Sequence, residues 1–284
     1  MPRSKSTDFA GRTAFVTGAG SGIGRALAEV FAAADCNLML SDIDDASVRE
    51  TARMLDGTNR GVETAQLDVA DRDAVESLAA DTIDRFGSVD FVINNAGVAL
   101  GDDVADMTYD DFAWLMSINF WGVVHGCKAF LPHMKARGSG HIVNMSSLFG
   151  LIGVPGQSAY CASKFAVRGF TETLRLELAG SGVSVHIVHP GGVATNIARN
   201  ARGGHGGASP AEREANRREF ESLLTMPPEK AAEIIRDGIR RGDPRIVVGN
   251  DAKRADFLSR LMPRRFGPML LKQMRKKFGK TGAS

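Results

Sequence analysis

Short apolar runs of strand length recur along the chain, and most are followed by a longer segment of helical period. The runs are Arg12–Thr17, Cys36–Ser41, Val62–Leu67, Val89–Asn94, Gly140–Met145, Val183–Val188 and Arg245–Val248; between them, Ile23–Ala33, Ala46–Leu55, Arg72–Phe86, Tyr109–Lys135 and Tyr160–Ala179 read as helices. Strands apolar at successive positions are buried on both faces, which a parallel sheet covered by helices on each side provides. The alternation therefore predicts an α/β fold, a doubly wound parallel sheet of about seven strands with helices on both faces. Ligands of such sheets bind beyond the carboxyl ends of the strands.

With 284 residues the chain is near the upper size for one hydrophobic core, so a single domain over residues 1–284 is expected. Hydrophobic residues at 43% and charged residues at 24% exclude collagen-like, disordered and disulfide-scaffold classes. The net charge of +2 is unevenly spread: residues 253–284 hold ten Lys/Arg and one acid, which leaves −7 for residues 1–252. A body of that sign does not fit a nucleic-acid binder. Cys36, Cys127 and Cys161 are far apart and odd in number, as in a reducing compartment. Met1–Phe9 lacks the apolar stretch of a signal peptide, and no run approaches the ~18 residues of a membrane span, so a cytoplasmic location is expected. The six histidines and three cysteines show no metal-ligand spacing, and no metal is expected.

The chemistry concentrates where strands end. Thr17-Gly18-Ala19-Gly20-Ser21-Gly22-Ile23-Gly24 joins the first strand to the first helix. A pyrophosphate there needs backbone close enough to donate N–H groups, glycines that leave room, and the partial positive charge of a helix amino end. Asp42 closes the second strand, where an acid accepts hydrogen bonds from the adenosine ribose and repels a 2′-phosphate; Ile43 follows, so NAD is favoured over NADP. Tyr160 and Lys164 are four apart on a helix and share a face. An ammonium beside a phenol of pKa near ~10 stabilises the phenolate, making the tyrosine a competent acid/base for an alcohol that loses hydride. Ser147, just past the fifth strand, is placed to hydrogen-bond the substrate oxygen.

Together with Asn94-Asn95-Ala96-Gly97, Tyr160-Cys161-Ala162-Ser163-Lys164 and Pro190-Gly191, the TGAGSGIG turn resembles the short-chain dehydrogenase/reductase family, one-domain type, over about residues 10–250. The resemblance implies a Rossmann-like fold, an oxidoreductase acting on CH–OH groups, and a homodimer or homotetramer. It implies catalytic roles for Ser147, Tyr160, Lys164 and Asn119, with Lys164 also on the nicotinamide ribose and Asn119 keeping a water in a proton relay. For the cofactor it adds Asp68 and Val69 near adenine, Asn95, Ala96 and Gly97 on the adenosine side, and Pro190, Gly191, Gly192, Val193 and Thr195 along the nicotinamide. The uncharged stretch Leu148–Pro155 follows Ser147, so Phe149 and Leu151 join Ser147 and Tyr160 in an apolar pocket. A steroid-, retinoid- or aliphatic-like secondary alcohol or ketone fits it. The alternatives are an NADP-dependent ketoacyl reductase and a non-enzymatic NAD-binding scaffold; Asp42 and the long tail argue against the first, the intact Ser, Tyr and Lys against the second.

Arg202-Gly-Gly-His-Gly-Gly-Ala208 reads as a mobile loop inside a substrate lid at about 196–226, followed by a charged helix, Pro210–Leu224. The basic extension at about 253–284 reads as two short helices broken near Pro263, Gly267 and Pro268. Met269, Leu270, Met274 and Phe278 recur at near-helical spacing beside Lys272, Arg275, Lys276 and Lys280. Packing of that apolar face on a partner subunit or near the active-site entrance is the favoured reading, an anionic membrane surface the alternative.

Overall fold

The computed structural model describes residues 7–57, 61–204, 206 and 209–278. Its seven long strands are β1 (Thr13–Thr17), β2 (Asn37–Asp42), β3 (Val62–Gln66), β4 (Phe91–Asn94), β5 (Gly140–Met145), β6 (Val183–Pro190) and β7 (Arg245–Val248). All pair in parallel, in the order β3-β2-β1-β4-β5-β6-β7. This is the doubly wound, Rossmann-like sheet that the alternation predicts. The order reverses between β1 and β4, so crossovers on the two sides of that point cover opposite faces and leave a crevice at the strand ends.

Strand side chains alternate between two apolar layers. Val16, Leu40 and Ile93 point into one, against Leu27 and Phe31 of α1 (Gly22–Ala32) and Ile235 and Ile239 of α8 (Pro228–Arg241). Phe15, Met39 and Val92 point into the other, against Val75 of α3 (Arg72–Phe86), Phe130 of α5 (Gly122–Arg137), and Val167 and Leu174 of α6 (Ser158–Glu177). Helix α2 (Asp45–Met54) closes the β2 side. The helix expected over Tyr109–Lys135 is α4 (Tyr109–Met116), one π turn at Ser117–Trp121, and α5 in succession.

Helix α8 is absent from the strand–helix reading, and Pro227-Pro228 marks where it begins. Pro228 opens the helix, where a missing N–H costs nothing, and Gly242 at φ 72° ends it. Ala231, Ile235 and Ile239 form its buried stripe at four-residue spacing. The charged helix α7 (Pro210–Glu221), α9 (Asn250–Leu261) and α10 (Phe266–Phe278) complete the chain. His205, Gly207 and Ala208 of the glycine-rich loop, and Lys280 of the tail, lie outside the described residues.

Ile235 is fully buried between α8 and the sheet. Ile235→Ala leaves a cavity there, and urea unfolding is expected to show a loss of about 2–5 kcal/mol with an unchanged denaturant slope. A loss below ~1 kcal/mol would mean that α8 does not close this core layer.

Candidate active site

The glycine turn is shaped by close approach. A Cβ on Gly24 would sit 2.0 Å from the Gly18 carbonyl oxygen, and Gly22 has φ 54°, with its Cβ position 3.0 Å from Thr195 Cγ2. Where Asp44 and Asp71 cap α2 and α3 with their carboxylates, Ser21 makes no side-chain cap at α1, and no acid lies in the first turn of α1. That helix end keeps its N–H donors and partial positive charge for a ligand, and the residues around it fit a dinucleotide pyrophosphate. The half-buried Asp42 accepts from Gly20 N at 2.9 Å and Asp44 N at 3.1 Å, so it also holds the turn. Arg25, the cation in this corner, is committed to Gly20 O at 2.5 Å, Thr51 Oγ1 at 3.0 Å and Glu50 at 3.5 Å. Asp68 is exposed and accepts from Ala70 N at 2.9 Å, and Val69 beside it is buried. Asn95 is a brace: its Nδ2 donates to Thr17 O at 2.9 Å and Gly18 O at 3.2 Å, tying β4 to β1. Ala96 and Gly97 follow it along the crevice. A Cβ on Gly97 would lie 3.2 Å from Asn119 Oδ1 and 3.4 Å from Lys164 Nζ.

Tyr160 and Lys164 project from α6 toward the end of β5. Lys164 Nζ donates to Met145 O at 3.1 Å and lies 5.6 Å from the centre of the Tyr160 ring. Ser147 Oγ accepts from Phe149 N at 3.1 Å, and the Ser147 side chain favours the ionised form of the Tyr160 phenol. Burial outweighs this and pushes the Tyr160 phenol up to about 12, and it pushes Lys164 down to about 8. The lowering of the phenol expected from Lys164 is therefore not seen: burial is the largest influence on the phenol, and burial likewise disfavours the ammonium. Asn119 is fully buried in the π turn, which a single-turn widening often marks at functional sites. Its Oδ1 accepts from Val98 N at 2.8 Å, while Nδ2 donates to Val98 O at 2.9 Å and Ser163 Oγ at 3.2 Å. With both amide hydrogens spent, a water at this position would have to use the Asn119 backbone. Ser146 donates to Lys164 O at 2.9 Å and fixes α6 against β5. His189, buried and pushed down to about 4 by burial, is neutral at pH 7 and bonds Ser147 O through Nδ1 at 3.0 Å.

Beyond β6, Pro190, Gly191 and Gly192 lead to the buried Val193, and Thr195 meets Gly22 across the crevice. Asp251, in the first turn of α9, accepts from Gly192 N at 2.7 Å, and a Cβ on Gly191 would strike its carboxylate at 2.3 Å. No local signal in the sequence marks Asp251; its partner lies 59 residues earlier. The segment after Thr195 is fastened at its base, where Ala194 N donates to Met226 O at 2.8 Å. Its far side is fastened too. Arg202–Gly203 pairs with Leu100–Gly101, the Arg202 guanidinium lies 3.7 Å over the Trp114 ring, and Gly204 N donates to Asp102 at 2.8 Å. Phe220 of α7 reaches Phe149 at 6.4 Å, and Phe149 meets Tyr160 edge-on at 5.9 Å. As the lone aromatic of a charged helix, Phe220 carried a readable signal. Leu151 is buried just past Phe149.

A family model described as short chain dehydrogenase matches residues 12–205. The chain belongs to the short-chain dehydrogenase/reductase family. Among its relatives, "Putative oxidoreductase SadH" of Mycobacterium tuberculosis is 47% identical over 259 residues, 90% of this chain and 92% of that protein. A short-chain dehydrogenase/reductase from Burkholderia phymatum, solved in complex with NAD, superposes with a TM-score of 0.79 at 28% identity, covering 98% of each chain. Another, from Mycobacterium paratuberculosis and bound to NAD, superposes with a TM-score of 0.75 at 27% identity, covering 87% of this chain and 100% of that one. The chain is thus an oxidoreductase of this family, with a nicotinamide nucleotide as its cofactor class.

Asp251→Ala frees the Gly192 amide and loosens the segment facing the glycine turn. Loss of one hydrogen bond of about 1 kcal/mol is expected to weaken dinucleotide binding about fivefold by fluorescence titration, with Asp251→Asn in between. Unchanged affinity in both variants would show that this bond does not shape the site.

Proposed function

We propose that the chain transfers a hydride between NAD and a hydrophobic secondary alcohol or its ketone, with Tyr160 as general acid/base. The observation that carries this is Tyr160 itself, beside Ser147, with Lys164 Nζ 5.6 Å from its ring and Phe149 edge-on to it with Phe220 behind. When bound, the nicotinamide nucleotide supplies the hydride or accepts it. Tyr160 gives its phenolic proton to the carbonyl oxygen in reduction and takes it back in oxidation. Ser147 holds the substrate oxygen beside that phenol, and His189, through the Ser147 carbonyl, fixes where the serine stands. Lys164 serves the ribose and the phenol from one ammonium. Asn119 carries the relay through its backbone while its side chain fixes Val98 and Ser163. The glycine turn Gly18–Gly24, with Ser21 and Ile23, receives the pyrophosphate; Asp42, Asp68, Val69, Asn95, Ala96 and Gly97 line the adenosine half, and Pro190, Gly191, Val193 and Thr195 the nicotinamide half. Segment 196–226 acts as the substrate lid, its aromatic contact through Phe220 suiting an apolar substrate that includes Leu151 in its pocket.

Asp42 supports NAD over NADP, since a 2′-phosphate would face its carboxylate and the adjacent Ile43 is exposed and uncharged. Because Asp42 also accepts from Gly20, Asp42→Ala is expected to weaken NAD as well as to relax the bias against NADP. Steady-state kinetics with both cofactors checks this; equal wild-type kcat/KM for NAD and NADP would sink the assignment. A homodimer or homotetramer in the cytoplasm completes the proposal, supported by exposed Trp121 at the π turn and Phe165 on α6, and by three buried cysteines that form no disulfide.

The reaction is tested by NAD reduction over secondary alcohols from aliphatic to steroidal. Tyr160→Phe is expected to cost ~10²–10⁴ in kcat with cofactor affinity nearly intact. The pH dependence follows from the two buried groups. A phenol raised to about 12 stays protonated at neutral pH, so reduction is flat from pH 6 to 8. Oxidation needs the phenolate and rises about tenfold per pH unit. That rise bends near 8, where Lys164 loses the ammonium that favours the phenolate. An oxidation profile flat from pH 6 upward would place the base elsewhere.

A further inference from the structure

Helices α9 and α10 follow one another across the break at 262–265, and the described part of this pair combines two surface properties. Phe257 and Leu261 of α9 are 64% and 65% exposed, and Met269 and Leu271 of α10 are 44% and 39% exposed. Around them stand the exposed cations Arg254, Arg264, Arg265, Lys272, Arg275 and Lys276. Residues 253–284 contain one acid, Asp256, and it is drawn inward to Arg245 at 2.7 Å. Phe266, Leu270 and Met274 are half-buried on α10, while the apolar side chains of Met269 and Leu271 stay exposed. No helix among the described residues is long and apolar enough to cross a membrane.

We propose that this helix pair docks the enzyme on an anionic lipid surface, with the basic side chains over the headgroups and Phe257, Leu261, Met269 and Leu271 at the acyl boundary. Cations pressed among exposed apolar side chains are what an interfacial helix presents, and an anionic leaflet complements both properties at once. A second copy of the chain fits less well. In a twofold contact the patch meets itself, and two surfaces of this sign repel. The place in the fold gives the docking a use. Helix α9 packs on β7 and on the Leu148–Gly150 turn that carries Phe149 to Tyr160, and its Asp251 holds Gly192. The helix pair is therefore joined to the wall of the active site through α9, close to where an apolar substrate would leave a bilayer. The docking itself does not depend on which alcohol is turned over.

The test is co-sedimentation of the full chain with vesicles of phosphatidylcholine alone, and of phosphatidylcholine and phosphatidylglycerol in equal parts, at low and high salt. Binding to the anionic vesicles only, released by salt, is expected. The triple variant Lys272→Glu, Arg275→Glu, Lys276→Glu should lower the partition at least tenfold, since each cation near the surface is worth roughly fivefold. Leu261→Ser with Leu271→Ser should lower it several-fold at unchanged charge. Both variants sit on exposed positions and should keep the wild-type thermal midpoint and mass by light scattering. The proposal is overturned if the full chain ignores anionic vesicles, if it binds neutral ones equally, or if both variants bind like wild type. It is overturned equally if the charge variant splits an oligomer while no vesicle binding is seen, or if duplex DNA strips the wild-type protein from the vesicles.

Discussion

The site depends on one junction, the stitching of β1 to β4 where the sheet reverses its order. Thr17 Oγ1 accepts the amides of both Asn95 and Ala96 at 3.0 Å, and Asn95 returns its side-chain amide to the carbonyls of Thr17 and Gly18. These bonds bring the glycine turn against the chain leaving β4 so closely that a Cβ on Gly18 would lie 2.8 Å from Ala96 Cα. Two strand ends that diverge to opposite faces are thus held at one depth. The crevice between them has a rigid floor, and the amino end of α1 opens into it.

From that floor the catalytic side chains are reached by burial, and burial carries an electrostatic consequence. Desolvation raises the phenol of Tyr160 and lowers the ammonium of Lys164, so each group is biased toward its neutral form. A phenol so raised keeps its proton at neutral pH. Backbone carbonyls and neutral side chains do the positioning: Met145 O takes the lysine, Ser147 the tyrosine, and a neutral His189 the carbonyl of Ser147. Such contacts direct groups without adding charges that would compete for the proton.

The outer wall follows a different principle. Lid and rim meet through short backbone ladders, the Arg202–Trp114 stack and the Phe220–Phe149 contact, which join segments remote in sequence. Helix α9 fastens to the same wall through Asp251 and the Arg245–Asp256 pair, and the exposed side chains of α9 and α10 are basic and apolar. Anchoring on one side and exposed amphipathic surface on the other are what separate these two helices from those that cover the sheet.

What the sequence determined by itself was whatever is written in local period and spacing. The seven strands, the glycine turn and the shared face of Tyr160 and Lys164 all follow from residues within a few positions of one another, because strand pleat, helix pitch and turn sterics are local. Helix α8 was equally legible in Pro228, Ile235, Ile239 and Gly242, although the strand–helix reading did not include it. The tertiary structure decided the rest. Asp251 on Gly192, His189 on Ser147, Arg202 on Trp114 and the complete use of the Asn119 amide arise from contacts across 42 to 88 residues or between separate elements. The sign of the phenol's shift was likewise a matter of burial, which a four-residue spacing does not encode. Hydrogen bonds and desolvation depend on three-dimensional distance, and only the folded chain sets it.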